Sequence, residues 1–165
     1  MREHQKLFYV TRRRFGFWNK GRLAIALALV LTLSAPGCGR VTEGASLVTR
    51  VIDGDTIEIE GGYRVRYIGI DAPEKAESYY WEALQANRDL VEGKKVWLEK
   101  DVEDRDRYDR LLRYVWVDNT MVNAELVRLG YAYSYSYPPN VKYQTYLLQM
   151  EQEAREHKRG LWSGG

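Results

Sequence analysis

Few kinds of side chain in this sequence can do chemistry. It holds two His, at positions 4 and 157, and one Cys, at 38. A zinc site built from several thiolates is excluded, as is an intramolecular disulfide, and a Ser-His-Asp triad would depend on His157 alone. Carboxylates, Arg, Lys and Tyr remain. Two acidic clusters stand out, Asp53-Gly54-Asp55 and Asp71-Ala72-Pro73-Glu74. Asp-Gly between alternating segments is a strong hairpin signal, so a turn explains the first cluster fully. If the flanking segments are neighbouring strands, however, Asp55 and Asp71 converge, and two carboxylates completed by carbonyls and water suit a hard cation such as Ca²⁺. On the residues alone both readings stand. Arg66, five residues before Asp71, is either a salt-bridge partner for the pair or a planar fork for phosphate. Residues 105–110 (RDRYDR) read as a solvated charge run. Tyr131, Tyr133, Tyr135 and Tyr137 alternate with Ala132, Ser134 and Ser136, placing a tyrosine row along one side of an extended segment, for packing or for stacking on nucleotides.

The elements that must position these groups follow from hydrophobic periodicity. Residues 47–52 and 56–60 alternate around the Asp-Gly turn, and after Gly61-Gly62 a third alternating segment runs over 63–70, which predicts a three-stranded meander. Tyr80, Ala83, Leu84 and Val91 share one helical face over 78–91, closed by Gly93. Residues 95–99 and 111–117 are two further strands, joined by a charged loop over 101–110. Val122, Leu126 and Leu129 before Gly130 mark a second helix; Tyr143, Leu147, Met150 and Ala154 mark a third that stops at Gly160. Five strands and three helices in this order fit an OB-type barrel with helices packed outside, an α+β fold that is mainly β.

The chain has 165 residues, 45% of them hydrophobic, 29% charged and 13% aromatic, the balance of one folded domain and not of a disordered chain. Its first segment reads differently. Residues 1–22 carry seven basic side chains and one acid, and residues 23–33 are an apolar run, too short for a membrane span of about 20 residues. That pattern predicts a signal peptide over 1–37. The run ends in Ser34-Ala35-Pro36-Gly37-Cys38, which resembles a bacterial lipobox and would make Cys38 a lipidated first residue; the plainer reading is an export signal beside an incidental thiol. Thr11-Arg12-Arg13-Arg14-Phe15 also resembles the start of a twin-arginine signal. Residues 38–46 read as a tether and 47–163 as the domain. Loss of residues 1–37 leaves 18 basic against 22 acidic side chains, so the net charge moves from +2 to −4. A chain of that charge attracts nucleic acid only through local cations or a bound metal.

Taken together, VIDGDT (51–56), VRYIGIDAPE (65–74), DRYDR (106–110), MVNAELVRLGYA (121–132) and YSYPPN (135–140) resemble, in order and spacing, the staphylococcal nuclease (thermonuclease) family over about residues 46–163. The resemblance implies an OB-fold five-stranded β-barrel with three packed helices and a Ca²⁺-dependent phosphodiesterase. Its substrates would be DNA and RNA, single strands preferred, and its products would carry 3′-phosphate ends. It also implies roles. Asp55, Asp71 and the backbone carbonyl of Ala72 match the metal ligands; Glu74 matches the group that orients or deprotonates the attacking water; Arg66 and Arg110 match the guanidinium pair on the scissile phosphate. Arg107, Tyr108, Tyr135 and Tyr137 match positions that contact the nucleotide. Three positions depart from the family's pattern: Ala72 stands where many relatives have Thr, Asp109 where several have Gly, and Pro138 replaces a common Lys before Pro139, leaving the isomer of that bond open. The expectation is an exported enzyme, membrane-anchored through Cys38 or secreted, and monomeric by default. The competing expectation is an OB module of the same family that binds nucleic acid or a protein without cleaving.

Overall fold

The structure, a computed structural model, describes residues 44–164. The signal segment over 1–37, Cys38 and most of the tether lie outside the described residues. The first strand, β1 (Ala45–Val51), begins two residues before the predicted domain start: Ala45 and Ser46 pair with Trp97 and Val96. A hairpin follows, β2 (Thr56–Ile59) and β3 (Tyr63–Tyr67), with Thr56 opposite Arg66. Next come β4 (Ile70–Asp71), helix α1 (Tyr80–Val91), β5 (Lys95–Glu99), β6 (Leu111–Val117), β7 (Thr120–Met121), α2 (Val122–Arg128), β8 (Tyr133–Ser134) and α3 (Gln144–Glu156). A single 3₁₀ turn, Gly160–Trp162, ends the described chain.

The five long strands run in the order β3-β2-β1-β5-β6, antiparallel throughout, and the parallel pairing of β3 with β6 closes the ring at Val65–Leu111 and Arg66–Leu112. This is the five-stranded barrel that the alternating patterns predict. Closure matters because it removes the sheet edge. It also sets Arg66 beside the strand that leaves the charged loop. Val48, Val51, Ile57, Ile59, Val65, Val96, Leu98, Leu111 and Val115 fill the barrel, and Ala83, Leu84 and Val91 from α1, Val122, Leu126 and Val127 from α2, and Leu147 from α3 extend the same core.

In two places the backbone departs from the predicted strands. The segment 63–70 is not one strand: β3 ends at Tyr67, Gly69 turns the chain at φ +79°, and Ile70–Asp71 pairs with Tyr133–Ser134 as a separate two-stranded ribbon. A side chain at Gly69 would also collide with Leu147, whose Cδ1 lies 2.5 Å from where a Cβ would stand. Strand periodicity continues through residues 68–70, so alternation alone does not show the turn. Nor do the tyrosines form one row. Only Tyr133 lies in β8; its ring meets Trp162 edge-on at 5.4 Å, while Tyr135 and Tyr137 follow in a loop that contains a cis Pro138–Pro139 bond.

Candidate active site

The turn between β1 and β2 is built around carboxylates. Asp53 Oδ1 accepts the Asp55 N–H at 3.0 Å, the side-chain-to-backbone bond that makes Asp a turn residue. Gly54 lets this turn lie against its support: a Cβ there would stand 2.6 Å from the Ala72 Cβ and 3.0 Å from that of Ala83. Asn87 of α1, fully buried, donates to the Asp53 carbonyl at 2.9 Å and accepts from the Tyr67 hydroxyl at 2.9 Å. Asp55 is thereby held inside the protein. Its Oδ1 accepts from the Thr56 hydroxyl, and its Oδ2 accepts the Ala72 N–H at 2.8 Å.

Arg66 joins the two acidic clusters. One terminal nitrogen, Nη2, lies 3.0 Å from Asp55 Oδ2 and 2.9 Å from Asp71 Oδ1; the other, Nη1, donates to the carbonyls of Tyr67 and Ile70. Asp55 and Asp71 do converge, because the turn at Gly69 brings Asp71 back beside the strand that carries Arg66. Two carboxylates against one guanidinium leave a net negative charge. Burial pushes the Asp55 carboxyl up to about 7, against the pull of Arg66. A buried carboxylate that its single cationic partner does not fully stabilise, with a second carboxylate oxygen beside the same point, fits a hard divalent cation that takes oxygen donors. Among the described residues no three His, Cys, Asp or Glu side chains cluster as ligands, so backbone oxygen and water would complete such a shell. Glu74 is exposed, three residues beyond Asp71; its N–H donates to Glu77 Oε2 and its carbonyl accepts the Glu77 N–H, both at 2.8 Å.

The charged loop between β5 and β6 is organised by contacts that its composition hides. At its base the guanidinium of Arg113, almost wholly buried, binds Asp104 Oδ1 at 2.7 Å and the Asp104 carbonyl at 3.1 Å. At its tip Asp106 holds Arg110: Oδ2 accepts from Arg110 Nε at 2.7 Å. Asp109, the departure marked in the sequence, adopts φ +62° and sends its carboxylate to Arg105 at 3.1 Å. Its positive φ is one that glycine adopts more readily than Asp. The anion that acts on Arg110 is therefore Asp106. Arg107 and Arg110 flank the Tyr108 ring, 4.8 and 5.5 Å from its centre. Buried Asn140 ties this loop to the tyrosine segment, accepting from the Glu103 N–H and donating to Glu103 Oε2.

Between these parts lies a cavity of about 450 Å³. Arg66, Arg107, Tyr108, Arg110, Tyr135 and Tyr137 all line it, so six residues read from widely spaced motifs meet in one wall. Asp55, Asp71, Ala72 and Glu74 do not line it. Arg66 alone belongs to both groups, with its guanidinium on the carboxylates and its side chain in the cavity wall.

A profile described as "Staphylococcal nuclease homologue" matches residues 64–164. The chain belongs to the staphylococcal nuclease family. The thermonuclease of Staphylococcus hyicus is 34% identical over 161 residues, covering 86% of this chain and 95% of that protein. The thermonuclease of Staphylococcus intermedius is 35% identical over 156 residues, covering 85% and 93%. The micrococcal nuclease of Shigella flexneri is 35% identical over 156 residues, covering 85% and 84%. As a staphylococcal nuclease homologue the chain is an enzyme, a nuclease that hydrolyses phosphodiester bonds. Four residues of this nuclease that hold the site together, Asn87, Asp104, Asp106 and Arg113, have no role assigned from the motifs, although Asp106 opens one of them. For Asp106 there was a local signal, an Asp two residues before an aromatic and four before an Arg in a loop, the spacing of a side-chain-capped turn.

Proposed function

We propose that this nuclease is exported, depends on Ca²⁺, and cleaves DNA and RNA, single strands preferred, to leave 3′-phosphate ends. One observation carries the reading: Arg66 joins a paired-carboxylate site to a cavity walled by cations and tyrosines. A phosphodiester is anionic, and its transition state gathers more negative charge on the equatorial oxygens, so positioned cations lower the barrier. Asp55, Asp71 and the Ala72 carbonyl would hold the cation, which would supply two positive charges to offset those of the reacting phosphate and help orient water. Arg66 and Arg110 supply two planar forks, each suited to a pair of phosphoryl oxygens. Tyr108, Tyr135 and Tyr137, more than half exposed, offer ring faces and hydroxyls to the nucleotide, with Arg107 beside them. An unpaired strand can present its bases to such rings without the cost of opening a duplex. Glu74, exposed beyond Asp71, holds the attacking water as base or orienter.

Export rests on the basic and apolar segment over 1–37, and anchoring on Cys38; the domain that follows works beyond the membrane, tethered or free, as a monomer. The test is incubation of the purified chain with single-stranded DNA and RNA in Ca²⁺ and in chelator, with end-group analysis of the products. Cleavage in Ca²⁺ alone, with 3′-phosphate ends, is the expected result. A folded chain that binds the strands and never cuts them would replace this reading with a binding module.

A further inference from the structure

Arg110 reaches the cavity through one carboxylate. Asp106 Oδ2 accepts from Arg110 Nε, the inner nitrogen of the fork, at 2.7 Å; Oδ1 accepts the backbone N–H groups of Tyr108 at 2.9 Å and Arg110 at 3.0 Å. The backbone closes the same ring, with the Asp106 N–H on the Arg110 carbonyl and the Asp109 N–H on the Asp106 carbonyl. Asp106 is mostly buried, its side chain 18% exposed, and it lines the cavity together with Tyr108 and Arg110. A contact at Nε orients the guanidinium plane while leaving the two terminal nitrogens for another acceptor. An anion in the wall of an anion-binding cavity nevertheless opposes the ligand that the cavity takes.

We propose that Asp106 is the positioning residue of Arg110: it fixes the fork for the reacting phosphate and, through its own charge, weakens substrate binding while it speeds cleavage. The inference rests on the nuclease reading, which gives Arg110 the scissile phosphate. Burial pushes the Asp106 carboxyl up, but its bonds to Arg110 and to the Tyr108 and Arg110 N–H groups outweigh that and hold it below the ordinary value. The charge is thus in place at neutral pH. Asp109, five-sixths exposed and paired with Arg105, has no such hold on Arg110.

Asp106→Asn separates the two roles, because an amide oxygen still accepts the two N–H groups that shape the turn while the charge on Nε is gone. A fluorescent single-stranded oligonucleotide in chelator reads affinity, and cleavage at saturating substrate in Ca²⁺ reads turnover. Affinity rises roughly threefold, as expected for losing one partly exposed competitor, and kcat falls about tenfold to a hundredfold, the size of a mis-set group. A purely structural Asp106 predicts the opposite sign for binding; weaker or unchanged affinity overturns the proposal. The binding arm needs no turnover, so it decides the matter even for a chain that cleaves nothing, and the failure of the nuclease reading is seen separately in the wild type. Asp106→Glu keeps the charge but moves it by one methylene, so kcat falls and affinity does not rise. If thermal melting shows Asp106→Asn unfolded, Asp106→Glu decides alone, and unchanged kcat overturns the proposal.

Discussion

The two halves of the site are built by different means. Asp55 and Arg66 sit at the ends of barrel strands, pinned by a buried Asn from α1 and by backbone groups that cannot move without the core. Arg107, Tyr108 and Arg110 sit on a loop with almost no apolar burial, kept in shape by Asp104 and Asp106 and by the buried end of Arg113. The first half tolerates a paired, partly neutralised charge inside the protein. The second keeps its cations near water, where a long polymer can reach them. The proposed reaction uses both: a rigid place for a cation and a pliable surface for strands of any sequence.

Arg66 belongs to both halves, so its loss produces the largest effect. Arg66→Lys removes the second fork tine and leaves the carbonyls of Tyr67 and Ile70 and one of the two carboxylates underserved; cleavage falls about 10²- to 10³-fold in steady-state assays. Asn87→Ala strips partners from a buried Tyr67 hydroxyl and the Asp53 carbonyl, costing about 2–4 kcal/mol in denaturant titration. It weakens calcium binding while leaving KM for single-stranded DNA within about twofold, because the loop is untouched.

Acid separates the halves as well. The folded Asp55 carboxyl, at about 7, lies above its unfolded value of 3.8, so across that window the folded state holds the extra proton and the metal-free chain loses stability as pH rises. A cation must displace the same proton. Calcium affinity, measured by titration calorimetry, therefore climbs about tenfold per pH unit up to about 7 and then levels. Asp106 is held below 3.8, so its charge beside Arg110 persists through the window in which Asp55 takes up its proton. Arg113→Met acts on the loop half: its almost wholly buried guanidinium serves the carbonyls of Asp104 and Leu112, so stability falls by about 1–3 kcal/mol while KM rises several-fold. The smallest effect belongs to Asp109→Gly, where relief of a positive φ and loss of an exposed ion pair nearly cancel, leaving cleavage within about twofold and stability within about 1 kcal/mol.

The same division governs what could be read from the sequence. Strands β5 and β6 match their predicted bounds, β5 because its residues alternate between core and solvent and β6 because it is a short, largely apolar run whose first five residues are all buried, and α1, α2 and α3 end within a few residues of their Gly signals. The convergence of Asp55 with Asp71 followed from strand adjacency, although the means was a turn at Gly69 and not a continuous strand. The loop half was read through resemblance, residue by residue, and its motif residues do share a cavity. Its internal bonding was not legible. Asp109 drew attention as the odd residue in a motif, whereas Asp106 binds Arg110, because a charged loop chooses its partners by backbone geometry that no periodicity records. The tyrosine alternation was real in sequence but runs out of β8 into a loop, and of these four tyrosines Tyr135 and Tyr137 line the cavity.

The most direct test of a single site assembled from both halves is the affinity of Glu74→Gln for a single-stranded oligonucleotide, with and without Ca²⁺. This variant keeps every group that lines the cavity and every carboxylate at Arg66. If the halves work together, Ca²⁺ tightens binding by about tenfold or more at moderate salt, since a net charge of −4 beyond residue 37 leaves little general attraction for a polyanion. Equal affinity in Ca²⁺ and in chelator would contradict the account.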